Sequence, residues 1–193
     1  ETLLARCGFR SQGLFVMDGS RRSSHGNAYF TGFGRSKRIV FFDTLLSRLG
    51  HGEVEAVLAH ELGHFKHRHV VKRIAWMFIA SLGFFWLLGA LMRHDWFYRA
   101  PGVEQPSTAM ALLLFFLVMP VFTFLLQPLI GIYSRRHEFE ADRYAVRNAS
   151  AGELKQGLIK LYKDNAATLT PDPLHSAFYD SHPPAAARIE RLD

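Results

Sequence analysis

A chain of 193 residues, 49% hydrophobic and 21% charged, has the material for one cored domain, which excludes a disordered or low-complexity protein. Lysine and arginine total 23 against 17 acidic residues, and this +6 excess suits nucleic acid, an anionic membrane surface or plain solubility, so position along the chain must decide. The single cysteine, Cys7, excludes an internal disulfide and a CxxC metal site and leaves histidine and carboxylates as metal ligands.

The chain opens at Glu1, without a signal peptide, as a piece of a longer protein would. Residues 13–18, 27–32 and 38–43 are short β-branched and aromatic runs separated by Gly, Ser and Arg clusters, which predicts a small antiparallel sheet. From Gly52 to about Arg73 the spacing of Val54, Val57, Leu58 and Leu62, with Glu53 and Glu55 near the positive end, predicts a helix. Two runs without a charged residue follow, 74–92 and 107–134, each long enough as a helix to cross a hydrocarbon core about 30 Å thick. Pro120 and Pro128 predict kinks in the second. Further helices are expected at 134–149, at 151–167 and near 185–192.

A pair of buried core helices rarely needs two such runs, so a transmembrane hairpin is the expectation. Lys66, Arg68, Lys72 and Arg73 precede it, Arg35, Lys37 and Arg38 lie upstream, and Arg135 and Arg136 follow. The connection from 93 to 106 carries two Arg together with Trp96, Phe97 and Tyr98 as an interfacial belt. The positive-inside rule then puts both polar segments on the cytoplasmic side, in a bacterial inner membrane or an ER membrane. This topology accounts for the net charge, and no nucleic-acid-binding motif is present.

Ala59-His60-Glu61-Leu62-Gly63-His64 contains H-E-x-x-H. On a helix the two imidazoles stand one turn apart on one face and can bind one zinc, while Glu61 reaches the attacking water as general base. The alternative is a histidine-rich surface helix, since His67 and His69 follow; His67 shares the face and would be a reserve ligand or a solvated group. A third ligand one turn and more downstream in the metzincin manner is excluded by His67 and Val70, where that pattern needs Gly and His. A carboxylate is preferred. In Arg136-His137-Glu138-Phe139-Glu140-Ala141-Asp142, Glu138 and Asp142 share a helix face and Glu140 points away. Glu138 is the candidate third ligand and Asp142 the acid that accepts the other ring N–H of a zinc-bound histidine; a solvated helix face is the alternative for these acids.

The run from His25 through Asn27-Ala28 to Asp43-Thr44-Leu45-Leu46, then HELGH, SRRHEFEAD and Asp180-Ser-His-Pro-Pro, resembles the integral-membrane CAAX prenyl endopeptidases, in the family's order and over nearly the whole chain. The resemblance implies that Glu138 is the third zinc ligand and Asp142 its supporting acid, in agreement with the reading above. It further implies that His182 and Arg188 stabilise the oxyanion, and that Asn27 and Ala28 lie on the edge strand that lines the substrate. Gly26 stands where the family usually has Ser, and the family's additional membrane helices precede this region.

The expected fold is thus α+β and mainly α: a small antiparallel sheet with the HExxH helix in residues 1–73, a transmembrane helical hairpin in 74–134, and C-terminal helices in 135–193 that complete a gluzincin-like site with one Zn2+ per chain. The expected activity is zinc-dependent endopeptidase cleavage of a peptide or protein substrate, prenylated or not, near the C-terminus of CAAX-type chains at the cytoplasmic membrane face. A heat-shock-type membrane quality-control protease is one alternative. A membrane scaffold with a closed, structural zinc site is the other.

Overall fold

The structure is a computed structural model that describes residues 2–9, 13–24, 26–31, 38–164, 168 and 170–192. His25 and residues 32–37, within the motif run read from the sequence, lie outside the described residues. The chain divides into two compact units, one formed by residues 1–68 with 131–193 and one by residues 69–130.

The first unit opens with helix α1 (Thr2–Arg6), followed by strands β1 (Leu14–Met17), β2 (Ala28–Thr31) and β3 (Arg38–Phe42). The three form one sheet in the order β1-β3-β2. β2 pairs antiparallel with β3, but β1 pairs parallel with it, so the sheet is mixed rather than antiparallel. The physical reason lies in β3, whose Ile39, Val40 and Phe41 are all buried and which therefore takes the centre, whereas Leu14 to Met17 of β1 are exposed and suit an edge. With β3 in the middle, β1 and β2 lie on opposite sides of it and cannot form a hairpin.

A short helix α2 (Asp43–Leu46) leads into α3 (His51–Lys66). The Glu53 carboxylate accepts the Gly50 N–H at 2.6 Å, half of a capping box, since glycine has no side chain to supply the other half. The same oxygen accepts Lys160 Nζ at 2.7 Å, tying α3 to α7 (Ala151–Asp164). The two helices pack closely because Gly157 brings α7 against Glu53 Cβ and Val57, and Leu154 and Leu158 complete a core with Ile39, Leu45, Ala56 and Leu62. α8 (Pro173–Tyr179) begins at Asp172, whose side chain accepts from the N–H groups of Leu174 and His175, and α9 (Ala185–Glu190) follows Pro184.

The predicted helix over 52–73 is two helices. α3 ends at Lys66, Arg68 takes a left-handed φ of 55°, and α4 (His69–Leu91) begins at once. Conversely, the helices expected either side of residue 134 are one: α6 (Thr108–Asn148) runs uninterrupted through Pro120 and Pro128. Each proline removes one backbone donor, and the remaining ladder carries the helix past both.

The second unit comprises α4, α5 (Asp95–Arg99) and the first turns of α6. Its buried apolar side chains gather at the connection, where Leu88, Phe97, Tyr98, Ala111, Leu114 and Phe115 form a small core. Along the rest of α4 the large apolar side chains face outward, Trp76 at 59% and Trp86 at 75% exposure. The most apolar stretches of α4 and α6 have mean hydropathy of 2.0 and 2.6 and are 6% and 17% buried. The core helix of a water-soluble protein buries its apolar face; these do not, which favours lipid as their neighbour.

Candidate metal centre

Two helices bring the sequence motifs together. A Cβ on Gly63 of α3 would sit 2.9 Å from Ala141 Cα and 3.0 Å from the Ala141 carbonyl oxygen, so the backbones of α3 and α6 touch at this pair of small residues. His60 lies three residues before Gly63 and His64 one after; Glu138 lies three before Ala141 and Asp142 one after. Side chains flanking the crossing on each helix therefore face the same small space.

His60 Nε2 and His64 Nε2 lie 3.1 Å apart. Glu138 presents Oε2 to His60 Nε2 at 3.5 Å and Oε1 to His64 Nε2 at 3.4 Å. An ion bound at about 2.0–2.1 Å in tetrahedral geometry holds its ligands roughly 3.3 Å from one another, close to the separation of the two nitrogens and to that of each nitrogen from the nearer carboxylate oxygen. His60 and Glu138 are buried and His64 is half-buried. Lone pairs of two imidazoles and a carboxylate converging this closely repel unless a proton or cation stands among them, and the donor set, nitrogen and oxygen without sulfur, suits zinc.

Around this group stands a second ring of contacts. His60 Nδ1 is 2.8 Å from Asp142 Oδ1, which fixes the N–H on Nδ1 and turns the Nε2 lone pair toward His64 and Glu138. Arg188 of α9 is buried and forks onto Asp142, Nε to Oδ2 at 2.9 Å and Nη2 to Oδ1 at 2.6 Å, while its Nη1 lies 3.8 Å from Glu138 Oε2. His182 places Nδ1 3.0 Å from Glu138 Oε2 and is 64% exposed. The two residues of the C-terminal tail that the resemblance names thus lie against Glu138 and Asp142. The Arg188–Asp142 fork was not foreseen, because a sequence displays the two charges without their pairing.

The electrostatics favour positive charge at the centre. Burial opposes ionisation of His60, yet its hydrogen bonds to Asp142 and Glu138 outweigh burial and raise it to about 9. Glu138 and Asp142 resist the upward push of burial; His182 and His60 hold the first well below the carboxylate range, and His60 and Arg188 lower the second. Glu61 differs from both: burial pushes its carboxyl up, and the charges of His60, His182 and Arg188 offset this only in part. A carboxyl with raised proton affinity beside the centre is what a general base requires.

Asn27 and Ala28 lie at the start of β2, an edge strand. Asn27 Oδ1 accepts the Ala28 N–H at 2.8 Å and its carbonyl accepts the Phe42 N–H at 2.9 Å, so the inner side of the strand is engaged with β3. Two residues that the sequence did not single out also enter the site. The Tyr162 hydroxyl donates to the Pro183 carbonyl at 2.9 Å, and Tyr162, His182 and Arg188 line a common cavity of about 830 Å³ with Leu158, Leu161 and Tyr179. Arg135, on the turn of α6 before Glu138, donates to the carbonyls of Ser176 and Asp180. In the sequence, Arg135 reads as a flanking charge and Tyr162 as one aromatic of an amphipathic helix.

The whole chain, residues 1–193, matches the description Peptidase family M48. Among proteins of known name, CAAX prenyl protease 1 of Saccharomyces cerevisiae is 37% identical, aligned over 100% of this chain and 46% of its own length. The Arabidopsis thaliana homolog is 36% identical over 100% of this chain and 46% of its own, and the human homolog is 34% identical over 93% and 46%. The crystal structure of S. mikatae Ste24p superposes with a TM-score of 0.89 at 36% identity, covering 100% of this chain and 48% of that one. The chain spans about half the length of these relatives.

Proposed function

Because the chain belongs to peptidase family M48, we propose that it carries the catalytic centre of a membrane-embedded zinc endopeptidase that cleaves CAAX-type substrates, prenylated or not, near their C-terminus on the cytoplasmic side. The observation that supports the proposal is the convergence of His60 Nε2, His64 Nε2 and the Glu138 carboxylate, with the nitrogens 3.1 Å apart and each 3.4–3.5 Å from one carboxylate oxygen, a donor set suited to one ion. Three protein ligands, with no fourth in the cluster among the described residues, leave a position for chemistry and favour an enzyme over a closed structural site. The named relatives are CAAX prenyl proteases, which favours that substrate class over misfolded membrane proteins.

Zinc held by these residues supplies Lewis acidity, which makes water nucleophilic at neutral pH and polarises a carbonyl. Glu61 takes the proton of the attacking water and delivers it to the leaving amine. Asp142 orients His60 through Nδ1, and Arg188 holds Asp142. His182 Nδ1 and Arg188 Nη1 face Glu138 at 3.0 and 3.8 Å, and in this reading they are the donors to the oxygen that gains charge in the transition state. β2 offers its outer edge to an extended peptide, with Asn27 and Ala28 at the start of the pairing strand.

Metal content and cleavage test the reading together. The protein purified in detergent is expected to hold one zinc per chain and to release the last three residues of a farnesylated CAAX peptide. Chelator should stop the reaction, and added zinc should restore it. A zinc-loaded, folded protein that leaves prenylated and unprenylated peptides intact would refute the activity.

A further inference from the structure

His182 is the exposed member of the site, and little packing of its own side chain holds it in place. Its position depends on the loop from Asp180 to Pro184, between α8 and α9. Both ends of that loop are gripped by side chains from other helices. On one flank Arg135 of α6 donates Nη1 to the carbonyl of Ser176, in the last turn of α8, at 2.9 Å and to that of Asp180, just past its end, at 3.2 Å. A Cβ on Gly131 would stand 3.2 Å from the Ala177 carbonyl oxygen, so α6 passes close beneath α8 at this point. On the other flank the Tyr162 hydroxyl of α7 donates to the Pro183 carbonyl at 2.9 Å, and the Pro183 ring is fully buried. The loop is therefore held on both sides of His182, while the imidazole remains accessible at 3.0 Å from Glu138.

We propose that Arg135 and Tyr162 are positioning residues that clamp the 180–184 loop from both sides and so fix His182 against the Glu138 carboxylate. Arg135 and Glu138 lie one turn apart on the same helix, so the helix that presents the third ligand also anchors the loop that presents the donor. A transition-state donor must be held within a fraction of an ångström, and an exposed histidine on an untethered loop would lose that alignment. The functional consequence rests on His182 acting as a donor; the clamp itself does not.

The test uses the protein purified in detergent with Tyr162→Phe, which removes only a hydroxyl, and Arg135→Met, which keeps the stem and removes the donors. Amide hydrogen exchange at Ser181 and His182 is expected to quicken about 5- to 10-fold in either variant, the size of one lost hydrogen bond, with the amides of α3 unchanged. On a CAAX peptide kcat is expected to fall by roughly the same factor with KM within about twofold, and Arg135→Lys, which keeps one donor, should recover part of the loss. In a His182→Ala background neither substitution should lower kcat further, because the residue they position is gone. Unchanged exchange in the loop would overturn the clamp, and so would losses that multiply with that of His182→Ala. If His182→Ala itself leaves kcat unaltered, the reading of His182 as a donor fails while the exchange measurement still decides the clamp.

Discussion

Arg188→Met is expected to destabilise the protein as well as slow it, because Arg188 answers a buried charge. Its side chain and that of Asp142 are 7% and 6% exposed, joined by two hydrogen bonds of 2.9 and 2.6 Å. Methionine fills most of the stem volume but leaves Asp142 ionised and buried with His60 as its remaining partner. Removing one member of a buried pair typically costs about 3–5 kcal/mol. For a chain of this size each kcal/mol lowers Tm by about 2–4 °C, so a loss on the order of 10 °C is expected in a thermal-shift measurement on metal-free protein. Asp142→Asn combined with Arg188→Met should recover most of it, since the amide oxygen still accepts from His60 Nδ1 and no charge is stranded. A variant that loses turnover with Tm within about 1–2 °C of the parent would show that the fork does not matter to the fold.

Glu61→Gln should retain the metal, measured by elemental analysis, and lower turnover by several orders of magnitude, because an amide cannot accept the proton; near-normal turnover would remove Glu61 from the mechanism. Gly63→Ala should weaken zinc binding although residue 63 is no ligand, since its Cβ would meet the Ala141 backbone at 2.9 Å and push α3 from α6; a zinc titration with unaltered affinity would count against the crossing. Glu53 lies below its ordinary value of 4.5 because hydrogen bonds from Lys160 and Gly50 outweigh burial, so its contribution is complete above that value and is lost as pH falls through the folded-state value. The Glu53→Gln variant should therefore be less stable at neutral pH and show a shallower acid decline, read by unfolding midpoints on either side of pH 4.5. Leu82→Arg, on the exposed face of α4, should cost about 2.5–3.5 kcal/mol of insertion free energy, read as a smaller carbonate-resistant membrane fraction; a monodisperse parent protein in detergent-free buffer would refute the membrane reading.

The candidate cluster was legible where chemistry forces local spacing. Two histidines one turn apart with a glutamate between them mean something only on a helix, and α3 is that helix. Glu138 and Asp142 were legible for the same reason, sharing a face of α6 with no other acid on it. What could not be read is whatever depends on tertiary partners. Nothing in His67-Arg68-His69 marks a chain break, because a left-handed arginine has no propensity signal and is imposed by the directions of the helices on either side. Where the apolar run ends at Ser134 the helix does not, since removing one donor at Pro120 and at Pro128 leaves the rest of a long ladder in place and α6 continues to Asn148. The central place of β3 follows from burial on both its faces, which three similar apolar runs do not reveal by themselves. Arg135 and Tyr162 act through the main-chain carbonyls of distant residues, and no side-chain pattern encodes a carbonyl as a partner.

The crossing at Gly63 and Ala141 explains how a site assembled from residues as far apart as 60 and 188 can be rigid. His60 on α3 and Glu138 on α6 lie three residues before the contact, and His64 and the supporting acid Asp142 lie one after it, so the register of one helix on the other sets all four positions at once. Helices slide by whole ridges rather than by tenths of an ångström, and a contact between two small residues allows only one such seat. Arg188 and His182 then add to a frame already fixed, one through Asp142 and one through Glu138, each attached to the α6 side of the crossing. A displacement of α6 would carry the third ligand, its supporting acid and both tail contacts together, and would separate all four from His60 and His64. Loss of the crossing should therefore abolish metal binding and donor placement in a single step, whereas loss of a tail contact should leave the metal site intact.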